Sequence, residues 1–465
     1  MDSVGNLEDV RHVVADENDQ QPASRPPPRP ARARVLQYSR VGFRRVSTAE
    51  PLDRGVGGWV GRLGGMKRDL ELQLIERLLA HIESDSRDRS PAMVSRPVSD
   101  YLDPARFDEE RAALFGDHPV VVGHTSQLGQ PGSFFTHEAS GVPIVVTRAE
   151  DDRLRAFVNV CRHRGGSLAD TPCGTGRRLT CGYHGWSFDL EGQLRGIPMS
   201  DGFDQLDRSQ FGLMELPLVE RHGLVFVWPR PRTGHQTGHR DALRDALDGV
   251  LCGVSDDLAD QQPESEFLSF RSWEVGCNWK VLLDNFLELY HLPTLHSSNI
   301  GPMFEPNRIL FDQFGPSGRR IDGRKSIRSL VDTPKETWHL RDHALITYYL
   351  FPNTQTFWTQ DYFSWLSVWP VSVERTICTQ SIVANWAADT DERRAHLQTN
   401  LDLFALTLDE DFASSETVQR GLATGANTVF TFGRHEQEAS GVHAAIDEAL
   451  ARSRAICSPA GGELV

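Results

Sequence analysis

At 465 residues the chain is long enough for two or three domains, and it has no uninterrupted apolar run able to cross a bilayer, which argues against a membrane-spanning role. A formal charge of -15 argues against a nucleic-acid partner, because phosphate binding needs a basic face. The seven cysteines (Cys161, Cys173, Cys181, Cys252, Cys277, Cys378 and Cys457) are too sparse for the disulfide framework of a small secreted domain, and they suit a reducing, cytoplasmic compartment.

Residues 1–65 are polar, with a Pro/Arg stretch from Arg25 to Pro30 that cannot build a core, so a disordered tail is expected there. Arg44-Arg45 lacks the apolar segment that a twin-arginine export signal needs, and acidic residues crowd the first twenty positions, which disfavours a transit peptide. A start at Met66 would remove the segment. From there Leu70, Leu74, Ile75, Leu78, Leu79 and Ile82 lie on one face of an amphipathic helix, the first of the N-terminal helices expected over 66–117.

The texture then changes to short β-like runs: Val120 to Val122, Val142 to Thr147, Arg155 to Val160 and Leu224 to Trp228, separated by Gly, Pro and Asp. They predict a small all-β domain over 118–230. Residues 231–265 are charged and read as a loop. Beyond them helix mixes with aromatic-rich strands, Phe363 to Trp369 and Thr376 to Trp386, before helices past 395, so 231–465 is assigned to an α+β domain with an antiparallel sheet. Trp358, Phe363, Trp365 and Trp369 could line a pocket for an aromatic ring or a methylammonium group, although strand aromatics more often fill the sheet core.

Within the β region the chain reads Cys161-Arg162-His163, then seventeen residues, then Cys181-Gly182-Tyr183-His184-Gly185-Trp186. Two Cys/His pairs at such short spacings can wrap a metal from two facing loops. With thiolates on one iron and neutral imidazoles on the other, a two-iron cluster has a potential of roughly -150 to +300 mV. Gly165, Gly166, Gly182 and Gly185 would let backbone N–H groups approach the sulfurs. The donor types alone also permit four-coordinate zinc, although the spacing is not that of zinc fingers. Cys173 falls off both spacings and reads as structural. The motif resembles that of Rieske [2Fe-2S] domains, which implies that Cys161, His163, Cys181 and His184 hold one cluster. Respiratory-complex Rieske proteins carry an additional cysteine in each loop. Gly166 and Tyr183 stand there in this chain, which points to the oxygenase or ferredoxin branch.

Asn278 to His296 has helical periodicity, with Glu288 and His291 neighbours on one face. On an unbroken helix His291 and His296 would diverge by about 140°, so Pro293 is expected to interrupt it and let both rings turn to one point. Two histidines and one carboxylate bind Fe(II) on a single face and leave positions open. The segment is similar over its whole length to the iron-binding segment of Rieske oxygenases, and Leu408 to Glu416 resembles the acidic helix that carries the family's carboxylate ligand. Asp411 is the implied third ligand, Asp409 and Glu410 are rivals, and a merely solvated acidic stretch is the alternative. The resemblance gives Glu288 the role of a hydrogen-bonded bridge to the second Rieske histidine, His184, of a neighbouring subunit. Aspartate is commoner there, and glutamate is shared with a subset that includes quaternary-amine oxygenases. Asn285 and Tyr290 are expected in support of the iron ligands, the alternative being that both simply satisfy hydrogen bonds in a buried helix.

The resemblance covers residues 95 to 445 and is to the large (alpha) subunit of aromatic-ring-hydroxylating dioxygenases. It implies an N-terminal Rieske domain, a C-terminal helix-grip-like antiparallel sheet domain whose helices hold mononuclear iron, and one [2Fe-2S] cluster and one Fe(II) per chain. No nicotinamide or flavin fingerprint is present, and Gly61 to Gly65 lacks a flanking strand and helix. Electrons are therefore expected from a separate ferredoxin or flavin reductase, with O2 and a small organic substrate as co-reactants, in a homotrimer or an α3β3 assembly. Hydroxylation, cis-dihydroxylation, demethylation and desaturation share these ligands. An electron-transfer protein without the second iron and a zinc-stabilised binding module are the alternatives.

Overall fold

The helical spacing of its leucines gives α1 (Arg68–Glu83) one apolar face, on which Leu74, Ile75 and Leu78 are buried. The computed structural model describes residues 66–230, 239–260, 266–359, 362–384 and 391–457; the expected tail, with its Pro/Arg stretch and Arg44-Arg45, lies outside them. The face of α1 does not seat on the β domain that follows it. It packs on β14 (Phe304–Phe314) and on the short helix α8 (Leu340–His343), far along the chain. Two further elements do the same. β1 (Val94–Pro97) pairs antiparallel with β20 (Val429–Phe432), and after the single turn α2 (Ser99–Leu102) comes α3 (Pro104–Asp117), which packs against α10 (Gln437–Cys457). Asp103 caps α3 by accepting from Ala105 N–H at 2.9 Å.

The all-β domain comprises three small antiparallel sheets. Its core sheet joins β10 (Glu215–Leu216), β5 (Leu154–Val158), β4 (Ile144–Arg148), β3 (Ser133–His137) and β6 (Cys173–Thr175) in that order. A second joins β11 (Leu218–Arg221), β12 (Leu224–Val227) and β2 (Val120–His124), and a third β7 (Arg178–Thr180), β8 (Ser187–Asp189) and β9 (Leu194–Gly196). Phe157, Leu168, Leu179, Trp186 and Phe188 form its own apolar cluster, which also encloses Cys161 and Cys181.

The charged stretch expected as a loop over 231–265 instead contains two helices, α4 (His239–Val250) and α5 (Ser255–Asp260). Leu243, Leu247, Val250, Leu251, Val254 and Leu258 are buried at helical spacing, so a narrow apolar stripe outweighs the charged texture around it.

The C-terminal domain is built on a seven-stranded antiparallel sheet in the order β13-β19-β18-β17-β16-β15-β14. Its strands are β13 (Glu266–Val275), β14, β15 (Ser317–Arg324), β16 (Ala344–Leu350), β17 (Thr354–Trp358), β18 (Tyr362–Ser372) and β19 (Arg375–Ala384). Around it lie α6 (Trp279–Phe286), α7 (Leu292–Leu295), the 32-residue α9 (Asp391–Leu422) and α10. Among the described residues no helix is long and apolar enough to cross a membrane.

Alternation along the strands sorts the aromatics into two sets. Trp358, Phe363, Trp365 and Trp369 share one face, all buried, with Trp365 at 6.0 Å from His124 and Trp369 at 4.8 Å from His137 of the β domain. They are core at the junction of the two domains. Phe357 and Tyr362 occupy the opposite face, where their rings meet Phe404 of α9 at 5.4 and 6.5 Å.

Candidate metal centres

Two loops of the β domain repeat one backbone pattern. Cys161 N–H donates to Gly166 O at 2.7 Å and Gly165 N–H to Cys161 O at 3.0 Å; Cys181 N–H donates to Trp186 O at 2.9 Å and Gly185 N–H to Cys181 O at 3.0 Å. Each loop closes on a glycine in the left-handed region, φ +80° at Gly165 and +72° at Gly185, where an L side chain is strained. Both thiols are buried, His163 is half-buried and His184 is exposed. The two imidazoles lie 4.7 Å apart, and Trp186 stacks on His163 at 4.7 Å and 6°.

Several features of these loops fit a metal cluster. The buried Nδ1 of His163 has no hydrogen-bond partner, and a Cβ on Gly166 would come within 3.1 Å of Cys181 Sγ. Burial pushes the Cys161 thiol up, and the adjacent Cys181 adds to this, so Cys161 resists ionising without a cation beside it. Burial, with His184 and Arg164 nearby, pulls His163 down and keeps its imidazole neutral. Two sulfurs and two imidazole nitrogens are the donor set of a Rieske cluster. Cys173 sits on β6 opposite Phe135 and belongs to neither loop.

The second group forms where a helix stops. α6 ends at Phe286, before Glu288, so Pro293 is not what interrupts the segment. Buried Arg320 donates from Nη1 to the Phe286 carbonyl at 3.1 Å, itself held by Asp322 at 2.9 Å and Glu438 at 2.6 Å. Beyond the break the Glu288 side chain folds back. Its Oε2 accepts from the backbone N–H of Tyr290 and, at 3.1 Å, of His291, while Oε1 meets His291 Nδ1. Pro293 stands in the first turn of α7, where no N–H is needed, and His291 and His296 flank that four-residue helix.

The two imidazoles are 5.1 Å apart, and Asp411 approaches both from α9. Its Oδ1 lies 3.0 Å from His296 Nε2 and 3.6 Å from His291 Nε2. One donor atom from each of His291, His296 and Asp411 lies within 4.8 Å of the others. Behind the pair, Glu410 Oε2 takes His296 Nδ1 at 2.6 Å and Asn299 Nδ2 at 2.8 Å. A carboxylate therefore holds Nδ1 of each ring and leaves both Nε2 atoms turned toward Asp411. Burial raises the Asp411 carboxyl despite the pull of the two histidines. Burial lowers His296, but Asp411 and Glu410 outweigh it and leave it raised. A buried carboxylate between two imidazole nitrogens, short of a fixed cation, suits a divalent metal on one face.

Of the three candidate acids, Asp411 meets the histidines, Glu410 turns to the back of His296, and Asp409 is exposed. Tyr290 departs from expectation. It is 61% exposed, with its ring edge-on to His435 at 4.6 Å, because the break before Glu288 turns it outward. Asn285 lies in the last turn of α6 with a buried Oδ1 that has no partner. Asn299 and the stacking of Trp186 carry no signal in the sequence, and Glu410 is legible there only as a rival ligand. Adjacency to Asp411 was the available signal, since neighbours on a helix point about 100° apart.

Residues 118–208 match the Rieske [2Fe-2S] domain, and residues 263–452 match the ring hydroxylating alpha subunit (catalytic domain). The chain is 32% identical over 190 residues to the carnitine monooxygenase oxygenase subunit of Acinetobacter pittii (strain PHEA-2), covering 41% of this chain and 49% of that one. It is 26% identical over 265 residues to the biphenyl 2,3-dioxygenase subunit alpha of Rhodococcus jostii (strain RHA1), covering 56% and 55%. The chain thus spans about half the length of these curated relatives. In fold it resembles a quaternary ammonium Rieske monooxygenase crystallised with L-carnitine, at TM-score 0.60 and 23% identity over 77% of this chain and 95% of that one. Members of the family carry a [2Fe-2S] cluster and a mononuclear iron, and the two donor sets described above fit both. With a Rieske domain followed in one chain by a ring-hydroxylating catalytic domain, this protein belongs to the Rieske non-haem iron oxygenases, as a subunit of the alpha type.

Proposed function

We propose that the chain is the terminal oxygenase component of a multi-subunit system, which takes electrons from a separate ferredoxin or flavin reductase and uses O2 to hydroxylate, dihydroxylate or demethylate a small aromatic or quaternary-amine substrate. The observation that carries this reading is the convergence of His291 Nε2 and His296 Nε2 on Asp411 Oδ1, in a chain that also presents the Cys161/His163 and Cys181/His184 loops. The names of its relatives, a carnitine monooxygenase and a biphenyl dioxygenase, supply the two substrate classes.

When bound, the cluster would supply single electrons and the mononuclear iron the activation of O2. The protein's own part is to hold and orient. Cys161, His163, Cys181 and His184 would hold the cluster, and His291, His296 and Asp411 the iron. Glu288 and Glu410 keep a proton on Nδ1 of each imidazole, so that Nε2 stays free to donate its lone pair. Glu288 is half-buried, and it is the residue proposed to reach His184 of a neighbouring copy in a homotrimer or an α3β3 assembly. Its one carboxylate holds the His291 ring and the backbone turn together.

The test is metal and sulfide analysis of the full chain purified without oxygen, with visible and EPR spectra before and after dithionite. About three irons and two sulfides per chain are expected, and His291→Ala should lose one iron and all product while keeping the Rieske spectrum. Two irons in the wild type would leave an electron carrier, and coupled turnover in His291→Ala would refute the iron assignment. Zinc without sulfide would overturn the reading at its first step.

A further inference from the structure

On the sheet face that α9 covers, polar side chains from three adjacent strands are buried with nothing to bond. Gln355 on β17 and Gln380 on β19 both stand opposite Leu366 of β18, and Ser364, two residues before Leu366, shares their face. Their exposures are 1%, 1% and 0%. Gln355 Nε2 and Oε1, Gln380 Nε2 and Ser364 Oγ have no hydrogen-bond partner within the protein. Asn285 Oδ1, on the helix α6 that packs over β18 and β19, is in the same condition. Buried amides are nearly always paired, because an unpaired one has surrendered its bonds to water without return. Several such atoms on neighbouring strands mark a surface that a ligand completes.

The three side chains carry no charge, and their face lies within electrostatic reach of Asp411. Cys378, two residues before Gln380 on the same face, has its thiol raised first by burial and then by Cys277 and Asp411. Phe357 and Ile382 are the cross-strand neighbours of Ser364. Tyr349 already gives its hydroxyl to Pro352 O. The nearest cation in register is Arg271, opposite Gln380 on the edge strand β13, and its charge acts on Asp409.

Resting on the oxygenase reading, we propose that Gln355, Ser364 and Gln380 form an uncharged hydrogen-bonding wall of the substrate site, selecting substrates that carry a neutral carbonyl or hydroxyl group. The glutamine NH2 groups and the serine hydroxyl offer donors, and Gln355 Oε1 offers an acceptor, so a lactam would pair with both halves of the Gln355 amide. A bare hydrocarbon ring would leave all of these atoms unpaired, and a site built to hydrogen-bond rejects such a ligand strongly.

The experiment is calorimetric titration of the full-chain holoprotein with three two-ring ligands of similar size: naphthalene, naphthoate and the lactam carbostyril. Carbostyril should bind at least about tenfold tighter than either of the others, and Gln355→Leu should shrink that preference to less than about threefold. Without ligand, Gln355→Leu and Gln380→Leu should each raise Tm, because an apolar group replaces an unpaired buried amide. Equal binding of naphthalene or naphthoate, binding of none of the three, or a fall in Tm in both variants overturns the proposal. Binding is read without turnover, whereas the oxygenase reading stands on the third iron and on product, so the two failures are seen separately.

Discussion

Glu410 Oε2 and His296 Nδ1 lie 2.6 Å apart across the gap between α9 and α7, with Asn299 Nδ2 fixing the same oxygen at 2.8 Å. The contact sets both the tautomer and the rotation of the ring whose other nitrogen faces Asp411. Glu410→Ala is expected to weaken iron binding roughly 10–100-fold without altering the cluster spectrum, whereas exposed Asp409→Ala leaves both unchanged. Iron retained after dialysis against a graded chelator series measures the difference, and equal retention in the two variants would remove Glu410 from the site.

Glu288 divides its carboxylate between His291 Nδ1 and the backbone N–H groups that follow it. Glu288→Gln keeps the shape and removes the charge. The variant should retain iron and cluster but slow reoxidation of the reduced cluster in a single turnover by roughly tenfold or more, as expected of a lost hydrogen-bonded carboxylate. Stopped-flow absorbance reads that rate. An unchanged rate would refute its proposed role as the bridge between subunits.

His124 and His137, packed on Trp365 and Trp369 where the two domains meet, are both lowered by burial, to about 4 and about 3. Below about pH 6.5 the unfolded chain takes up protons that the folded one refuses, so this share of stability is complete above 6.5 and is lost as pH falls. Each histidine should contribute about 1.4 kcal/mol per pH unit to the decline between pH 6.5 and its folded value. Thermal melts from pH 7.5 to 5 should show a shallower decline for His137→Phe than for the wild type. Parallel curves would exonerate His137.

Lys280 Nζ and Trp279 Nε1 both donate to Glu110 Oε2, and the Lys280 and Glu110 side chains are 1% and 0% exposed. The contact pins α6, which leads to the histidines, against α3. Lys280→Met removes one of the two cations on the buried Glu110 carboxylate, leaving Arg106 Nε at 3.0 Å and Trp279 Nε1, and should cost about 1.5–3 kcal/mol in denaturant unfolding. A loss under about 1 kcal/mol for Lys280→Met would mean that Arg106 and Trp279 suffice to hold Glu110.

Short-range chemistry was legible in the sequence. Cys161 and His163, Cys181 and His184, and Glu288 and His291 are each separated by so few residues that their spacing alone restricts which atoms can share a metal or a proton. The apolar stripe of α1 and the strand runs of the β domain were legible for the same reason, because period and turn chemistry are local.

Contacts between distant segments were decided only by tertiary structure. His296 and Asp411 are 115 positions apart, and the rotation of α9 about its axis determines that Asp411 faces the histidines, Glu410 backs one of them and Asp409 points to solvent. Alternation showed that Trp365 and Leu366 lie on opposite faces of a strand, but not that one face meets the β domain and the other α9. The seat of α1, β1 and α3 on the C-terminal half was equally unreadable. An apolar face in a sequence declares that it must be buried, and only the packed fold determines against what.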